Sequence, residues 1–280
     1  MELTREELEF YRSNGYLILH DRFSCKEVSL LKAEVTSAIQ QDSPARVMEK
    51  DNKLVRSVYG LHTSNPVFRC LALQPRLVLP AGQIIGAPIY VHQFKINIKA
   101  AAGGDRWDWH QDFIFWNKED GMRDPLPVTA VVFLDDVTDH NGPMLLIPGS
   151  HKSGMIDRAE DGSGRTGEYA DKPAWISNLV AKLKYSVDID TVRRLADAHG
   201  IIAAKGSRGT VLFFDSNIVH ASGSNMLPYD RTLALVTYNS TANVPLQAHQ
   251  KRPEFLVSTD AAPITPVSDD ALLAVIRARQ

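Results

Sequence analysis

The sequence predicts an all-β sandwich or barrel core with helices packed outside it. From residue 89 onward, short segments rich in Val, Ile, Phe and Thr alternate with turn clusters, a pattern that is typical of such cores. The residues before this point have helical periodicity instead. A hydrophobic content of 44% with 23% charged residues is ordinary for a chain that buries a core. No internal repeat and no Pro- and Ser-rich linker divides the chain, so we expect one domain over 1–280.

Residues 1–85 are predicted to form a mainly helical N-terminal part. Thr4 and Glu7 have the spacing of a capping box, which indicates a helix that begins directly after Thr4. The apolar residues 16–19 are typical of a strand. A second helix is predicted over 24–40, because a serine opens this segment at the N-cap position and apolar residues recur on one face.

Residues 89–240 are predicted to form the β core, with an insertion at 154–200. The first part of the insertion, up to Pro173, is charged and rich in glycine. This part fits either a lid over a pocket or an ordinary surface loop. The second part is predicted to be helical at 176–184 and again at 188–200, where a terminal glycine ends the helix. The predicted core strands lie within 89–97, 128–136, 142–150, 209–216 and 232–239.

The net charge of the chain and the distribution of its apolar residues indicate which classes of binding partner to expect. The net charge is −2 and there is no basic stripe, which argues against nucleic-acid binding. No apolar run approaches the roughly 20 residues that a membrane-spanning helix requires, and the N-terminus has no apolar export signal. Cys25 and Cys70 form neither a disulfide framework nor a paired motif. We therefore expect a cytoplasmic protein that binds neither nucleic acid nor membrane.

The stretch Trp-His-Gln-Asp at 109–112 is the most informative motif for chemistry. On a strand, residues two apart point to the same face, so His110 and Asp112 are predicted to reach one point in space. His220 lies much later in the chain than His110 and Asp112, directly after an apolar segment. Two imidazoles and one carboxylate, with other coordination positions left open, are the facial triad of non-haem iron(II) oxygenases. The same ligand set leaves open a zinc-dependent hydrolase or lyase.

Arg231 favours the oxygenase over the zinc enzyme. It follows a turn-rich connection after His220 and opens the predicted strand 232–239, which returns beside the metal motif. A buried guanidinium can grip a carboxylate through two hydrogen bonds, as the remote carboxylate of 2-oxoglutarate requires. A zinc hydrolase gives Arg231 no special role. A catalytically silent binding protein usually lacks a ligand, whereas His110, Asp112 and His220 are all present.

Five segments carry a resemblance to a known family: QDSPARVMEKDNKLVRSVYGLH, YVHQFKIN, GGDRWDWHQDFIFWNKEDGM, NGPMLLIPGSHK and FFDSNIVHASGSNMLPYDR. The sequence resembles the phytanoyl-CoA dioxygenase superfamily over nearly its whole length, and within it the bacterial hydroxylases of free amino acids. The resemblance implies a mainly β fold, the double-stranded β-helix or jelly roll, with flanking N-terminal and inserted helices. It also implies His110, Asp112 and His220 as ligands of Fe(II).

The resemblance also implies a set of residues around the co-substrate 2-oxoglutarate. Arg231 is expected to clamp it, with the hydroxyl of Ser222 alongside. Within YVHQFKIN, alternate residues share one face of a strand and are expected to line the pocket together. A solvated strand face is the alternative for these polar residues. The complete expected set is Arg231, Ser222, Thr129, Gln93 and Asn97.

A free amino acid needs a cation for its carboxylate, an acceptor for its amine and apolar walls. Lys95 and Arg56 are the candidate cations. Trp107, Phe115 and Trp116 flank the metal motif and are the candidate walls. Arg56 fits a surface charge equally well, and the aromatic residues fit core packing. The sequence identifies no partner for the amine.

The reaction implied by the resemblance consumes 2-oxoglutarate and O₂ and releases succinate and CO₂. Related halogenases lack the carboxylate ligand, so the presence of Asp112 favours hydroxylation. The expected substrate is a free small amino acid, foremost L-proline, which would become trans-4-hydroxy-L-proline. Leucine, a methylproline and ectoine are the alternative substrates, and the oligomeric state is left open.

Overall fold

Antiparallel strands build the centre of the protein, and helices cover one side of it. The computed structural model describes residues 1–49, 53–157, 183–246, 252–258 and 260–278. The α-helices are α1 Arg5–Asn14, α2 Cys25–Gln40, α3 Leu61–Ser64, α4 Pro66–Ala72, α5 Pro75–Ile85, α6 Asp112–Asp120, α7 Ile189–His199 and α8 Ala271–Ala278. The strands are β1 Tyr16–Leu19, β2 Arg46–Met48, β3 Val55–Tyr59, β4 Ile89–Lys99, β5 Trp107–His110, β6 Val128–Phe133, β7 Met144–Leu146, β8 Ile202–Ala204, β9 Val211–Asp215, β10 His220–Ser222 and β11 Arg231–Ser240.

Two antiparallel sheets pack face to face. The larger sheet has the strand order β1-β9-β6-β11-β4-β3-β2, and the smaller has the order β5-β10-β7-β8. Alternate residues of the larger sheet, among them Phe133 and Leu235, contact Met144 and Leu146 of the smaller sheet in one buried cluster. Because side chains alternate across a strand, every second residue of the central strands points into the space between the sheets.

The N-terminal helices and α8 cover the outer face of the larger sheet, whereas α7 packs against residues next to β7 and β10 of the smaller sheet. Ala130 and Val236, which point away from the smaller sheet, join the largest buried cluster together with Leu31 of α2 and Leu71 of α4. This burial of an apolar helix stripe against an apolar sheet face is the main source of stability for such an arrangement. Among the described residues, no helix is both long and apolar enough to cross a lipid bilayer.

The N-terminal part begins as predicted and then contributes two more strands. The capping box of Thr4 and Glu7 opens α1, a second capping box opens α2, and the predicted strand at 16–19 is β1. In addition, β2 and β3 extend the larger sheet beside β4. The sequence analysis did not predict them, because each is short and gains its stability from pairing with distant residues.

Of the predicted insertion at 154–200, the second helix is observed. Helix α7 ends at Gly200, as the sequence predicts, and the structure adds Asp188 as its N-cap. The segment 158–182 lies outside the described residues. It contains most of the proposed lid loop and most of the helix predicted at 176–184, which both stay predictions.

A candidate metal centre and its cavity

The three predicted metal ligands lie on the smaller sheet and at the start of α6. His110 ends β5 and His220 begins β10, and the two are paired neighbours in the smaller sheet. Asp112 is not on the strand, which corrects the sequence interpretation. The chain turns after His110, Gln111 takes the N-cap position, and Asp112 is the first residue of α6. The tight strand-to-helix turn, and not strand alternation, brings the carboxylate to the imidazoles.

The three side chains converge on one buried point. One ligand atom from each of His110, Asp112 and His220 lies within 4.8 Å of the others. The Oδ1 atom of Asp112 is 3.7 Å from Nε2 of His110 and 4.0 Å from Nε2 of His220. The two imidazole centroids are 4.1 Å apart. Two nitrogens and one carboxylate oxygen at this spacing can hold a divalent metal ion.

Both imidazoles are oriented by hydrogen bonds to the backbone. Nδ1 of His110 lies 2.7 Å from the carbonyl oxygen of Asp108, and Nδ1 of His220 lies 3.0 Å from that of Ile218. Each Nδ1–H therefore donates to a carbonyl, which leaves the lone pair of each Nε2 directed at the common point. Backbone support of this kind fixes the tautomer that binds metal.

The charge states of the triad also suit a cation. Burial and the neighbouring His220 lower the pKa of His110 to about 3, and burial lowers the pKa of His220. Burial alone would raise the pKa of Asp112, but Lys95 and the two imidazoles outweigh it, so this pKa lies below its usual value. At neutral pH the site therefore presents two neutral imidazoles and one carboxylate.

One atom of the triad needs a partner. Oδ2 of Asp112 is buried and makes no hydrogen bond with any of the described residues. A buried carboxylate oxygen without a partner is costly. A divalent ion at the convergence point would supply the missing positive charge, so the residues fit iron(II).

Gln111, between the two ligands, joins three chain segments at the metal centre. Its side-chain nitrogen donates to the carbonyl oxygens of Gly154 at 2.8 Å and Asn217 at 2.6 Å. Its side-chain oxygen accepts from the backbone nitrogen of Ile156 at 2.8 Å. The amide is fully buried. It therefore holds the His110–Asp112 turn against the loop that leads to His220.

A cavity of about 880 Å³, including its open mouth, adjoins the triad. Alternate residues of β4 line it, as the strand periodicity predicts, and β10 and β11 form the neighbouring wall. Its polar lining outside the triad comprises Tyr59, Gln93, Lys95, Asn97, Lys99, Ser222, Arg231 and Arg252.

Arg231 is a buried cation at one end of this cavity. Its Nη2 donates to the carbonyl oxygen of Gly142 at 2.7 Å and its Nε to that of Asn141 at 3.4 Å. Nη1 has no hydrogen bond with the described residues. Gly142 has φ +71°, and a Cβ there would lie 2.5 Å from the carbonyl oxygen of Gly223. The position that supplies this carbonyl to Arg231 therefore requires glycine. Burial lowers the pKa of Arg231 to about 9, and the side chain therefore stays charged at neutral pH.

The other expected co-substrate residues divide into two groups. Ser222, Gln93 and Asn97 line the cavity. Gln93 also donates to the carbonyl oxygen of Leu256 at 2.8 Å, which ties the C-terminal segment to the cavity wall. Thr129 is buried but is not part of the lining, and its hydroxyl bonds to that of Thr237 at 2.9 Å.

Of the expected substrate residues, Lys95, Trp107, Phe115 and Trp116 line the cavity, and Arg56 does not. Arg56 is buried, with Nη1 3.0 and 3.2 Å from the two carboxylate oxygens of Glu49. Its guanidinium stacks on Trp107 at 3.8 Å from the ring centroid. The structure therefore places Arg56 behind the wall, as a support for Trp107. Trp116 lies on α6, where the sequence analysis had expected a continued strand.

Sequence reasoning missed three polar residues of the cavity. Lys99 lies two residues past Asn97 on the same face of β4, and alternation carried one step further would have found it. Tyr59 belongs to the unpredicted strand β3. Arg252 lies beyond the predicted core, in a segment held by Gln93, and binds both carboxylate oxygens of Asp120 at 2.6 and 2.7 Å. Nothing in the local sequence marks Arg252 as a cavity residue.

Comparison with known proteins identifies relatives along almost the entire chain. Residues 11–232 match the family model described as phytanoyl-CoA dioxygenase. The chain is 40% identical over 263 residues to the L-proline trans-4-hydroxylase of Streptomyces griseoviridis, covering 94% of this chain and 95% of the relative. It is 34% identical over 267 residues to the ectoine dioxygenase of Bordetella parapertussis, covering 92% of this chain and 83% of that relative.

Solved structures give the same result for the fold. The crystal structure of EctD from S. alaskensis in its apo form matches with a TM-score of 0.78 at 29% identity, covering 95% of this chain and 87% of that chain. EctD has also been solved with bound Fe and with 2-oxoglutarate and 5-hydroxyectoine. The carbocyclase SnoK, at 21% identity and a TM-score of 0.66 over 95% of this chain and 94% of that chain, shares the fold. The expected jelly-roll fold with flanking helices is confirmed.

Proposed function

Since the chain belongs to the phytanoyl-CoA dioxygenase family, we propose that it hydroxylates free L-proline to trans-4-hydroxy-L-proline. The chain is an iron(II)- and 2-oxoglutarate-dependent dioxygenase that acts on a small molecule, which answers the question left open between an oxygenase and a zinc enzyme. The observation that carries the choice of proline is the 40% identity to an L-proline trans-4-hydroxylase over 94% of the chain. A cytoplasmic location without nucleic-acid or membrane partners stays a prediction.

In this proposal His110, Asp112 and His220 hold the iron ion. When bound, iron(II) supplies the activation of O₂ that is coupled to oxidative decarboxylation of 2-oxoglutarate to succinate and CO₂. The protein's part is to present two neutral imidazoles and one carboxylate in a fixed arrangement and to leave coordination positions open on the cavity side. The buried, partnerless Oδ2 of Asp112 supports this assignment.

Arg231 and Ser222 are proposed to bind the distal carboxylate of 2-oxoglutarate. The guanidinium is buried, charged and held by two backbone carbonyls, with Nη1 unused by the described residues. The hydroxyl of Ser222 lines the same cavity. A charge-assisted hydrogen bond in a dry pocket is stronger than a neutral one, so this end of the cavity favours an anion. Gln93 and Asn97 are proposed to line the remainder of the co-substrate.

The substrate is proposed to lie between Lys95 and the aromatic wall. Lys95 is near enough to the triad to be the charge that most lowers the pKa of Asp112. In this proposal its ammonium binds a substrate carboxylate held beside the metal. Phe115, Trp116 and Trp107 supply apolar surface for an aliphatic ring. Held this way, the ring is kept from water and its target C–H bond faces the metal centre.

Replacing Lys95 with Met is expected to weaken L-proline binding more than 2-oxoglutarate binding. Loss of a charged hydrogen bond to the substrate carboxylate costs roughly 1.5–3 kcal/mol, so we expect the KM for proline to rise about 10- to 100-fold. Steady-state measurement of both KM values checks this. Lys95→Arg, which keeps the charge, is the matched control. A larger rise in the KM for 2-oxoglutarate would reassign Lys95 to the co-substrate.

The proposed function is tested by anaerobic reconstitution with Fe(II), followed by addition of 2-oxoglutarate, O₂ and single candidate substrates. Succinate release is measured together with the mass and the isomer of the product. Proline-dependent succinate with an equal amount of trans-4-hydroxyproline is the expected result. If succinate forms with ectoine or leucine but not with proline, the proposed reaction class holds and the proposed substrate is wrong. The match to EctD makes ectoine the first alternative to include.

A further inference from the structure

Part of the apolar wall of the cavity comes from a segment without regular secondary structure. Leu183 lines the cavity and is only 4% exposed, although residues 183–188 belong to no helix or strand. Leu183 packs in one buried cluster with Ile114 and Phe115 of α6. The ring centroids of Phe115 and the metal ligand His110 are 6.3 Å apart. Leu183 therefore adds a second apolar layer to the wall beside the metal centre.

The two residues that follow Leu183 are both bound by one carboxylate of α6. Oε1 of Glu119 accepts from Nζ of Lys184 at 2.8 Å and from the hydroxyl of Tyr185 at 2.8 Å. The ring of Tyr185 also packs edge-on against Phe115, with the two centroids 5.2 Å apart. These side-chain contacts tie the segment that carries Leu183 to the helix that forms the aromatic wall.

Glu119 is a charged acceptor at neutral pH. Burial alone would raise the pKa of Glu119, but the hydrogen bonds from Lys184 and Tyr185 outweigh it, so this pKa lies below its usual value. A hydrogen bond to an ionised group is stronger than a neutral one. The same helix begins with the metal ligand Asp112. One rigid element therefore carries both a metal ligand and the anchor of this part of the wall.

We propose that Leu183 sets the largest ring or side chain that the prime substrate can have, and that Glu119 is the positioning residue that holds Leu183 on the cavity. The inference rests on the proposed function, because it concerns the substrate of that same site. A close-packed apolar wall disfavours a substrate with one methylene group too many, because its side chains have little room to move aside.

The test compares a substrate with its homologue that has one more methylene group. For proline this homologue is pipecolate, which has a six-membered ring, and kcat/KM is measured for both compounds. In Leu183→Ala we expect the ratio of pipecolate to proline to rise about 10- to 100-fold, since one methylene in an apolar pocket is worth roughly 10- to 200-fold. In Glu119→Leu we expect a rise of about 3- to 10-fold, because Leu183 is then loosened but still present.

A double variant shows whether Glu119 acts through Leu183. If it does, Leu183→Ala combined with Glu119→Leu has the same ratio as Leu183→Ala alone. If the two effects on the ratio multiply instead, Glu119 acts independently, which would overturn its positioning role. Lys118→Met is the matched control, because it removes another ion pair of α6, the exposed one with Asp157. This control is expected to leave the ratio unchanged.

Equal loss of turnover with both homologues in Leu183→Ala, at an unchanged ratio, would indicate a merely structural role and overturn the proposal. Thermal unfolding of the metal-free variant checks its fold, and Leu183→Val, with a smaller expected rise, replaces it if Leu183→Ala does not fold. Failure of the proposed function is separate. If the wild-type enzyme accepts leucine or ectoine instead of proline, the choice of proline is wrong. The same ratio is then measured with homoleucine or homoectoine and decides the role of Leu183.

Discussion

Replacing Asp112 with Ala is expected to abolish 2-oxoglutarate turnover and to remove tight Fe(II) binding. The carboxylate is the only anion of the triad, and its loss leaves two neutral imidazoles. Loss of an outer-shell partner of a metal ligand already costs about 10- to 100-fold. Loss of a direct ligand should therefore cost on the order of 1,000-fold or more in turnover. His110→Ala is expected to behave alike.

Two measurements on Asp112→Ala distinguish loss of a metal ligand from a merely structural defect: the Fe(II) affinity and the stabilisation by Fe(II). Succinate release gives turnover, and competition with a chelator gives the Fe(II) affinity. The melting temperature of the metal-free variant should change little, because the removed group is a buried carboxylate with an unpartnered oxygen. The increase in melting temperature on adding Fe(II) should disappear. Asp139→Asn, an exposed carboxylate paired with Lys205, is the control. Substantial residual turnover in Asp112→Ala would contradict the assignment of the triad.

Replacing Arg231 with Met is expected to raise the KM for 2-oxoglutarate by roughly 100-fold, with a much smaller effect on the KM for the prime substrate. A buried guanidinium that binds a carboxylate through two hydrogen bonds contributes both charge and geometry, and its removal leaves a buried carboxylate short of a partner. Methionine fills much of the space of the arginine chain, so the change is mainly electrostatic. Measuring both KM values under saturating concentrations of the other substrate checks this.

Arg231→Lys is the matched variant for this prediction. Lysine keeps the positive charge but loses the planar fork. It also loses one of the two donors that bind the carbonyls of Asn141 and Gly142. We expect an intermediate rise in the KM for 2-oxoglutarate, on the order of 10-fold. An unchanged KM in Arg231→Met would remove its proposed role.

Elements defined by local signals could be predicted from the sequence. The capping box of α1, the N-cap serine of α2 and the glycine that ends α7 are local signals, and each is confirmed. The central strands could be predicted as well, because they are continuous apolar runs that need burial whatever their neighbours are. By contrast, β3 depends on pairing with β4, and the edge strand β2 depends on pairing with β3.

The identity of the site residues was predicted better than the backbone conformation that positions them. His110 and Asp112 were expected to meet through strand alternation, but the chain enters a helix at Asp112. Both conformations bring the two side chains together, so the motif alone does not distinguish them. The placement of Arg56 could not be predicted either, because it depends on its ion pair with Glu49, which follows β2. Arg252 reaches the cavity only because the C-terminal segment folds back onto β4.

The buried amide of Gln111 has a consequence for the choice of metal. Because it holds the His110–Asp112 turn to the loop before His220, the ligand positions are set by the fold and do not depend on an ion to assemble them. A preorganised site of two imidazoles and a carboxylate contains no thiolate that would discriminate among first-row ions. Such a site binds Ni²⁺, Cu²⁺ or Zn²⁺ at least as well as Fe²⁺. The ion present in the purified enzyme should therefore follow the metals supplied during expression, and iron occupancy in the cell depends on iron supply.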